Sequence, residues 1–126
     1  MTITSILILF ILFQFKHFIC DFAVPSLPYM NNKTSPEGCP GNVLHAAIHG
    51  LGTLIVLSVV QLPFHLPFLI GAIDAIIHFG IDWSNIRMGN DLKLNSSEPS
   101  FWMLLGADQL FHQLTYAFLI FVITLF

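Results

Sequence analysis

Charge is scarce in this sequence. Of its 126 residues only Lys16, Lys33, Arg87 and Lys93 are basic, and charged residues of both signs make up 9% of the chain, against about a quarter in soluble domains. A surface that binds a nucleic-acid backbone needs clustered Lys and Arg, so a nucleic-acid partner is excluded, and the formal net charge of −3 points the same way. Cysteine is nearly absent as well. Cys20 and Cys39 offer one candidate pair, too few for a disulfide scaffold, and on the reducing side of a membrane both are expected as free thiols. The chain also lacks an HExxH zinc-protease signature, a GxSxG nucleophile elbow and a phosphate-cradling glycine loop. No basic stretch precedes its first apolar run and no A-x-A-like site follows it, so that run is expected to persist as a helix rather than be cleaved as a secretory signal.

Apolar residues fill the space that charge leaves. The composition is 56% hydrophobic, with a mean hydropathy of +0.81. A membrane-spanning helix needs about 20 mostly apolar residues, and Ile3 to Ala23, Val43 to Leu62, Phe64 to Ile86 and Phe101 to Phe126 each supply that length. Pro, Gly, Asn and Ser punctuate the intervals in "VPSLPYMNNKTSPEGCPGN", "QLPFHLP" and "MGNDLKLNSSEPS", which read as loop, tight turn and loop. Lipid offers no partner to an unpaired backbone group. The expected fold is therefore all-α, a single transmembrane domain over 1–126 built as an up-and-down four-helix bundle. Lys33, Arg87 and Lys93 fall at or in the two longer loops, which the positive-inside tendency places in the cytoplasm. Trp83 and Trp102 are expected at the interface, Lys16 to snorkel towards it, and Gly71 and Gly80 to permit close helix approach. Asn32-Lys33-Thr34 and Asn95-Ser96-Ser97 match glycosylation acceptors, which matter only on a lumenal face.

Against that apolar background the polar residues are ordered. His17 and Asp21 lie four apart on the first helix, His45 and His49 on the second, His78 and Asp82 on the third, Asp108 and His112 on the fourth. Residues four apart stack on one helical face, so each helix can aim two ligand-type side chains in one direction. In an up-and-down bundle every pair also falls within roughly two to three turns of the side bearing the two longer loops. One His in an apolar helix is commonly a hydrogen-bonded core residue, and His–Asp pairs can simply glue helices together. An intramembrane Asp, however, costs about 2.5–3.5 kcal/mol at a helix centre, and such residues mark ion sites, relays or catalysis. Repetition of the pair at one depth favours a shared centre with His17, Asp21, His45, His49, His78, Asp82, Asp108 and His112 as metal ligands. Imidazole with carboxylate suits zinc, iron or manganese, in one or two copies, and not calcium. Asp74 sits one turn deeper on the third helix and is expected to support a ligand or line an access path. Cys20 points off the paired face.

The series "HFICDF", "HAAIH", "HFGID" and "DQLFH" resembles the bacterial and phage membrane-protein family called domain of unknown function 3307, over nearly the whole chain. In that pattern a Gln, a Met and a Lys follow the first His-x-x-x-Asp-Phe; Met30 and Lys33 match, whereas Pro25 stands in place of the Gln. The resemblance implies a small multi-pass protein of a bacterial inner membrane and supplies no activity. The residues themselves favour a metal-dependent hydrolase acting on a lipid or lipid-linked substrate near the membrane face, with Asp21 or Asp108 as general base. Two other classes fit the same residues: a proton or cation relay extended by Asp74, and a non-catalytic phage or bacterial membrane effector held together by the cluster. Haem, which facing His pairs could ligate, fits less well than a bare ion because carboxylates accompany the histidines.

Overall fold

The computed structural model describes residues 1–24 and 40–126. Cys39, Pro25, Met30, Lys33 and the Asn32-Lys33-Thr34 acceptor lie outside the described residues. Within them the chain is all-helical: α1, Ile3–Phe18, continued by a π-helical turn, Ile19–Ala23; α2, Pro40–Leu57; α3, His65–Asp91; and α4, Pro99–Thr124.

Local chemistry explains most of the boundaries. Thr2 caps α1 by accepting the Ser5 N–H on its side-chain oxygen at 3.1 Å. α2 starts at Pro40, where proline fits the first helical position, and stops at Leu57 rather than the expected Leu62. There the Ser58 hydroxyl donates to the Ile55 carbonyl at 2.7 Å, and β-branched Val59 and Val60 lead into Leu62-Pro63, whose proline disfavours helix at the residue before it. α3 runs past the expected Ile86 to Asp91, because its only proline, Pro67, lies in the first turn, where a missing N–H costs nothing. Its end is closed by Lys93 at φ 52°, with the Leu94 N–H donating to the Gly89 carbonyl at 3.0 Å and the Lys93 N–H to the Asn90 carbonyl at 3.1 Å. That is a Schellman closure with lysine where glycine is usual. Before α4, Asn95 Oδ1 accepts the Ser97 N–H at 3.0 Å and Trp102 Nε1 donates to the Ser96 carbonyl at 3.0 Å. The Asn95 side chain is thereby committed to shaping the turn.

Helices adjacent in sequence pack side by side, and α4 returns against α1. The closest pair is α2 with α3, and two glycines set its distance. A Cβ added to Gly50 would sit 2.8 Å from the Gly71 carbonyl oxygen, and one added to Gly71 would sit 2.9 Å from the Gly50 oxygen. Because both obstructions are backbone, Gly50→Ala is expected to force the helices apart and lower stability by about 1–3 kcal/mol, read as a fall in melting temperature in detergent. Gly80 does not share this role. Nothing lies within 4 Å of a Cβ built there, so the expected close approach is confined to Gly71 and its partner Gly50.

The interior has two halves. Towards the α2–α3 turn it is apolar, with Leu9, Phe13, Leu57, Ile70, Leu119 and Ile123 buried together. Towards the opposite end it is polar, with His17, His45, His49, His78 and His112 all buried. Large apolar side chains cover the outside instead, among them Ile3, Ile55, Ile76 and Met103, each more than 70% exposed. Among the described residues two helical stretches, Ile3–Ala23 and His65–Asp91, are long and apolar enough to cross a membrane.

Candidate metal centre

The i, i+4 pairs bring their side chains to one place. Asp21 reaches inward from the π-helical turn. Its Oδ1 lies 3.0 Å from His45 Nε2 and 3.1 Å from His49 Nε2, both from α2, and 3.8 Å from His78 Nε2 of α3. His45 Nε2 and His78 Nε2 are themselves 3.1 Å apart. A tetrahedral ion with bonds of 2.0–2.1 Å would space its ligand atoms about 3.3–3.4 Å apart, so these separations outline such a shell. One carboxylate and three imidazoles occupy its corners.

Proton counting makes the same point independently. A neutral imidazole nitrogen either carries a proton and donates or lacks one and accepts. His45 Nε2 faces a carboxylate oxygen, which asks it to donate, and the His78 nitrogen at comparable distance. If it donates to Asp21, the His78 nitrogen must either be bare and face the Asp82 carboxylate oxygen at 3.5 Å without a proton, or be protonated and set two N–H groups against each other. If it accepts from His78, its contact with the Asp21 carboxylate becomes repulsive. A cation between the three atoms satisfies all of them at once.

A second group adjoins the first. Asp82 Oδ1 lies 3.2 Å from His112 Nε2, and Asp108 Oδ1 lies 3.7 Å from the same nitrogen; Asp82, Asp108 and His112 could hold an ion together. Asp82 Oδ2 links the groups, 3.4 Å from His45 Nε2 and 3.5 Å from His78 Nε2. Gln109 steadies the outer edge, donating from Nε2 to Asp108 Oδ2 at 3.0 Å.

His17 behaves differently from the other imidazoles. Its Nδ1 pairs with the Tyr116 hydroxyl at 2.9 Å, while Nε2 faces Gln109 Oε1 and Asp21 Oδ2, each at 3.1 Å. It can join His78 and His112 around an ion, but in this arrangement it orients Asp21 from outside the tetrahedral group. Beneath it lies a charged pair that sequence reasoning placed elsewhere. Lys16 does not snorkel: it is 6% exposed, and its Nζ donates to Asp74 Oδ2 at 2.6 Å. The Thr53 hydroxyl donates to the same oxygen at 2.5 Å, and Lys16 Nζ lies 3.5 Å from the Tyr116 oxygen. Gly52 permits the burial, since a Cβ there would come within 3.0 Å of Lys16 Cγ. Asp74 thus supports the centre through Lys16 and Tyr116 rather than lining an access path. Among the described residues Cys20, a buried free thiol, joins none of the groups that could hold an ion.

Tyr116 and Thr53 are the partners that spacing alone under-read. Each sits one turn after a paired residue on the same helix, Thr53 after His49 and Tyr116 after His112, whereas Gln109 follows Asp108 directly. A polar residue extending a ligand face by one turn is the signal that could have found Tyr116 and Thr53.

The centre opens on one side. A cavity of about 230 Å³ is lined by Asp21, Asp82 and Asp108 together with Asn85, Gln109 and Leu105. The carboxylates line this opening, whereas His45, His49 and His78, each at most 1% exposed, lie outside its lining.

The family model described as "Protein of unknown function (DUF3307)" matches residues 7–126, a span containing every residue of the centre. No curated protein matches the chain, and no solved structure does.

Proposed function

The chain belongs to the DUF3307 family, and because that description names no activity, we infer from the centre itself a membrane-embedded, metal-dependent hydrolase acting on a lipid or lipid-linked phosphate ester. The observation that carries this reading is the convergence of Asp21, His45, His49 and His78 at tetrahedral spacing, beside a second group, on a cavity edged by carboxylates. A buried apolar shell and an apolar exterior support placement in a bilayer, where α1 and α3 have the length to span. Arg87 and Lys93 near the end of α3 support a cytoplasmic position for that end, in a bacterial inner membrane.

In this reading Asp21, His45, His49 and His78 hold one ion, and Asp82 and His112 hold the other, leaving Asp108 unligated beside it as the general base. Zinc, manganese and iron all suit mixed imidazole and carboxylate shells. Bound divalent ions polarise a phosphoryl oxygen and lower the pKa of water to about 7. Charge supports two ions rather than one. Three carboxylates with one divalent ion leave the centre net negative, repelling a phosphate; with two ions it becomes net positive and attracts one. Asp108 is the stronger choice of general base over Asp21. Its Oδ2 is held by Gln109, leaving Oδ1 towards the ion-holding group and the cavity. Asn85, also on the cavity wall, is placed to donate to a substrate oxygen.

The apolar half of the interior weighs against a through-membrane relay, because below Lys16 and Asp74 the buried core is Leu9, Phe13, Leu57, Ile70 and their neighbours. Purified protein is expected to contain two divalent ions per chain by elemental mass spectrometry and to release phosphate from a lipid phosphomonoester. Chelation should stop turnover and added zinc, manganese or iron restore it, while Asp108→Asn should slow it by about 10²–10⁴-fold. A folded protein that stays metal-free after exposure to all three ions would sink the reading.

A further inference from the structure

Outside the carboxylate cavity, between α3 and α4, runs a second and larger hollow of about 460 Å³. Its walls are Ile77, Ile81, Met88, Leu104 and Phe111, and its only acidic lining residue is Asp108. Asp108 and Asn85 line both hollows, so the apolar groove runs along the wall of the proposed reaction cavity. From Asn85 back to Ile77 it follows α3 for about 12 Å, the scale of an extended hydrocarbon chain rather than of a short ester.

Glycine and alanine create this space. Gly80 and Ala107 face the hollow from opposite helices, and a Cβ on Gly80 would touch nothing within 4 Å. A glycine that is not needed for helix contact, inside a long helix where it costs about 1 kcal/mol relative to alanine, leaves room for something else. The α2–α3 face also carries an apolar hollow, lined by Val43, Ala46, Ala47 and Phe79, but no residue of the centre lines it.

We propose that the α3–α4 groove is the subsite for one hydrocarbon tail of the substrate, holding an acyl or prenyl chain so that its phosphate head falls beside Asp108 and Asn85. This assignment rests on the hydrolase reading for the head group, and extends it by specifying a single-tailed or tail-splayed lipid phosphate entering laterally from the bilayer. Apolar contact along the groove supplies affinity, and the ion-loaded centre supplies selection for the anionic head.

The test uses dodecyl phosphate carrying a diazirine at the chain terminus, with full-length, metal-loaded protein in phosphatidylcholine vesicles. Photolabel mapped by mass spectrometry is expected to concentrate on Ile77, Ile81 and Phe111, the end of the groove away from Asn85. A headless dodecyl diazirine should spread over all lipid-facing helices. Gly80→Leu and Ala107→Leu, which obstruct the groove from opposite walls, should each reduce groove labelling about tenfold or more, the scale of losing a few methylenes from an apolar pocket. Ala47→Leu, filling the α2–α3 hollow, should leave it unchanged. Equal labelling by the headless probe, crosslinks joining two copies of the chain through this face, or full labelling in both obstructed variants would each overturn the tail subsite. Metal content and phosphate release measured on the same samples separate the two levels. Groove labelling by the phosphate probe in a protein without turnover supports the tail subsite and removes the hydrolase; turnover of a tail-less ester without groove labelling does the reverse.

Discussion

His78→Ala is expected to strip the ion from the tetrahedral group. His78 belongs to that group with Asp21, His45 and His49, and together with His17 and His112 it forms a further group able to hold an ion. Its ring stacks on His49 with centroids 3.5 Å apart and lies 4.2 Å from that of His112. Removing the imidazole therefore takes a corner from the tetrahedral group and unseats its neighbours. Partners one shell further out typically change affinity by about 10–100-fold, and Tyr116→Phe, which touches only His17 among the cluster's imidazoles, should fall in that range. The His78 variant should exceed it and emerge from dialysis without the ion of the tetrahedral group. His65→Ala, on an exposed histidine at the start of α3, should retain full occupancy. Elemental mass spectrometry on samples matched for helical circular dichroism decides the matter, and a folded His78→Ala protein carrying wild-type metal would refute the shared centre.

The second large effect concerns stability. Lys16 and Asp74 are both buried, with side chains 3% and 1% exposed, and removing either partner strands the other as an uncompensated charge. Lys16→Ala or Asp74→Ala alone is expected to cost about 3–5 kcal/mol, whereas an apolar pair of similar volume, Lys16→Met with Asp74→Leu, should recover most of that loss. Thermal unfolding in detergent measures all three variants, and the double variant should melt well above either single one. Tyr116 and Thr53 lose partners in the double variant, so its metal affinity need not recover with its stability. That divergence would separate a role for the pair in holding the bundle from a role in holding His17. Single substitutions that leave the melting temperature untouched would mean that water reaches the pair.

Much of the centre was legible from spacing because the helix repeat is local. His45 and His49, or Asp108 and His112, must share a face wherever their helix goes, and their common depth follows from alternating helix direction. Helix termini were legible only to within a few residues. Leu57 rather than Leu62 ends α2 because local turn chemistry overrode a still-apolar run, and α3 continued to Asp91 because nothing in Ser84 to Met88 stops a helix. The π-helical turn that carries Asp21 left no trace in composition, since its widened hydrogen bonding reflects how Asp21 and its neighbours seat against α2. Lys16 was misplaced for a related reason. A long flexible side chain near an interface can snorkel or fold inward, and the choice was made by the space left at Gly52 and by the Asp74 carboxylate, which lies 58 positions away.

By itself, the sequence determined an all-helical chain, the residues available for ion binding and the end of the bundle at which they collect, because helix period and hydropathy act over a few neighbouring residues. Only the tertiary structure decided how those residues divide between two groups, which imidazole turns to Tyr116 instead of inward, and where the centre opens. These depend on distances between atoms on different helices. Such distances are set by contacts such as Gly50 against Gly71, whose effect on the rest of the bundle no local pattern encodes.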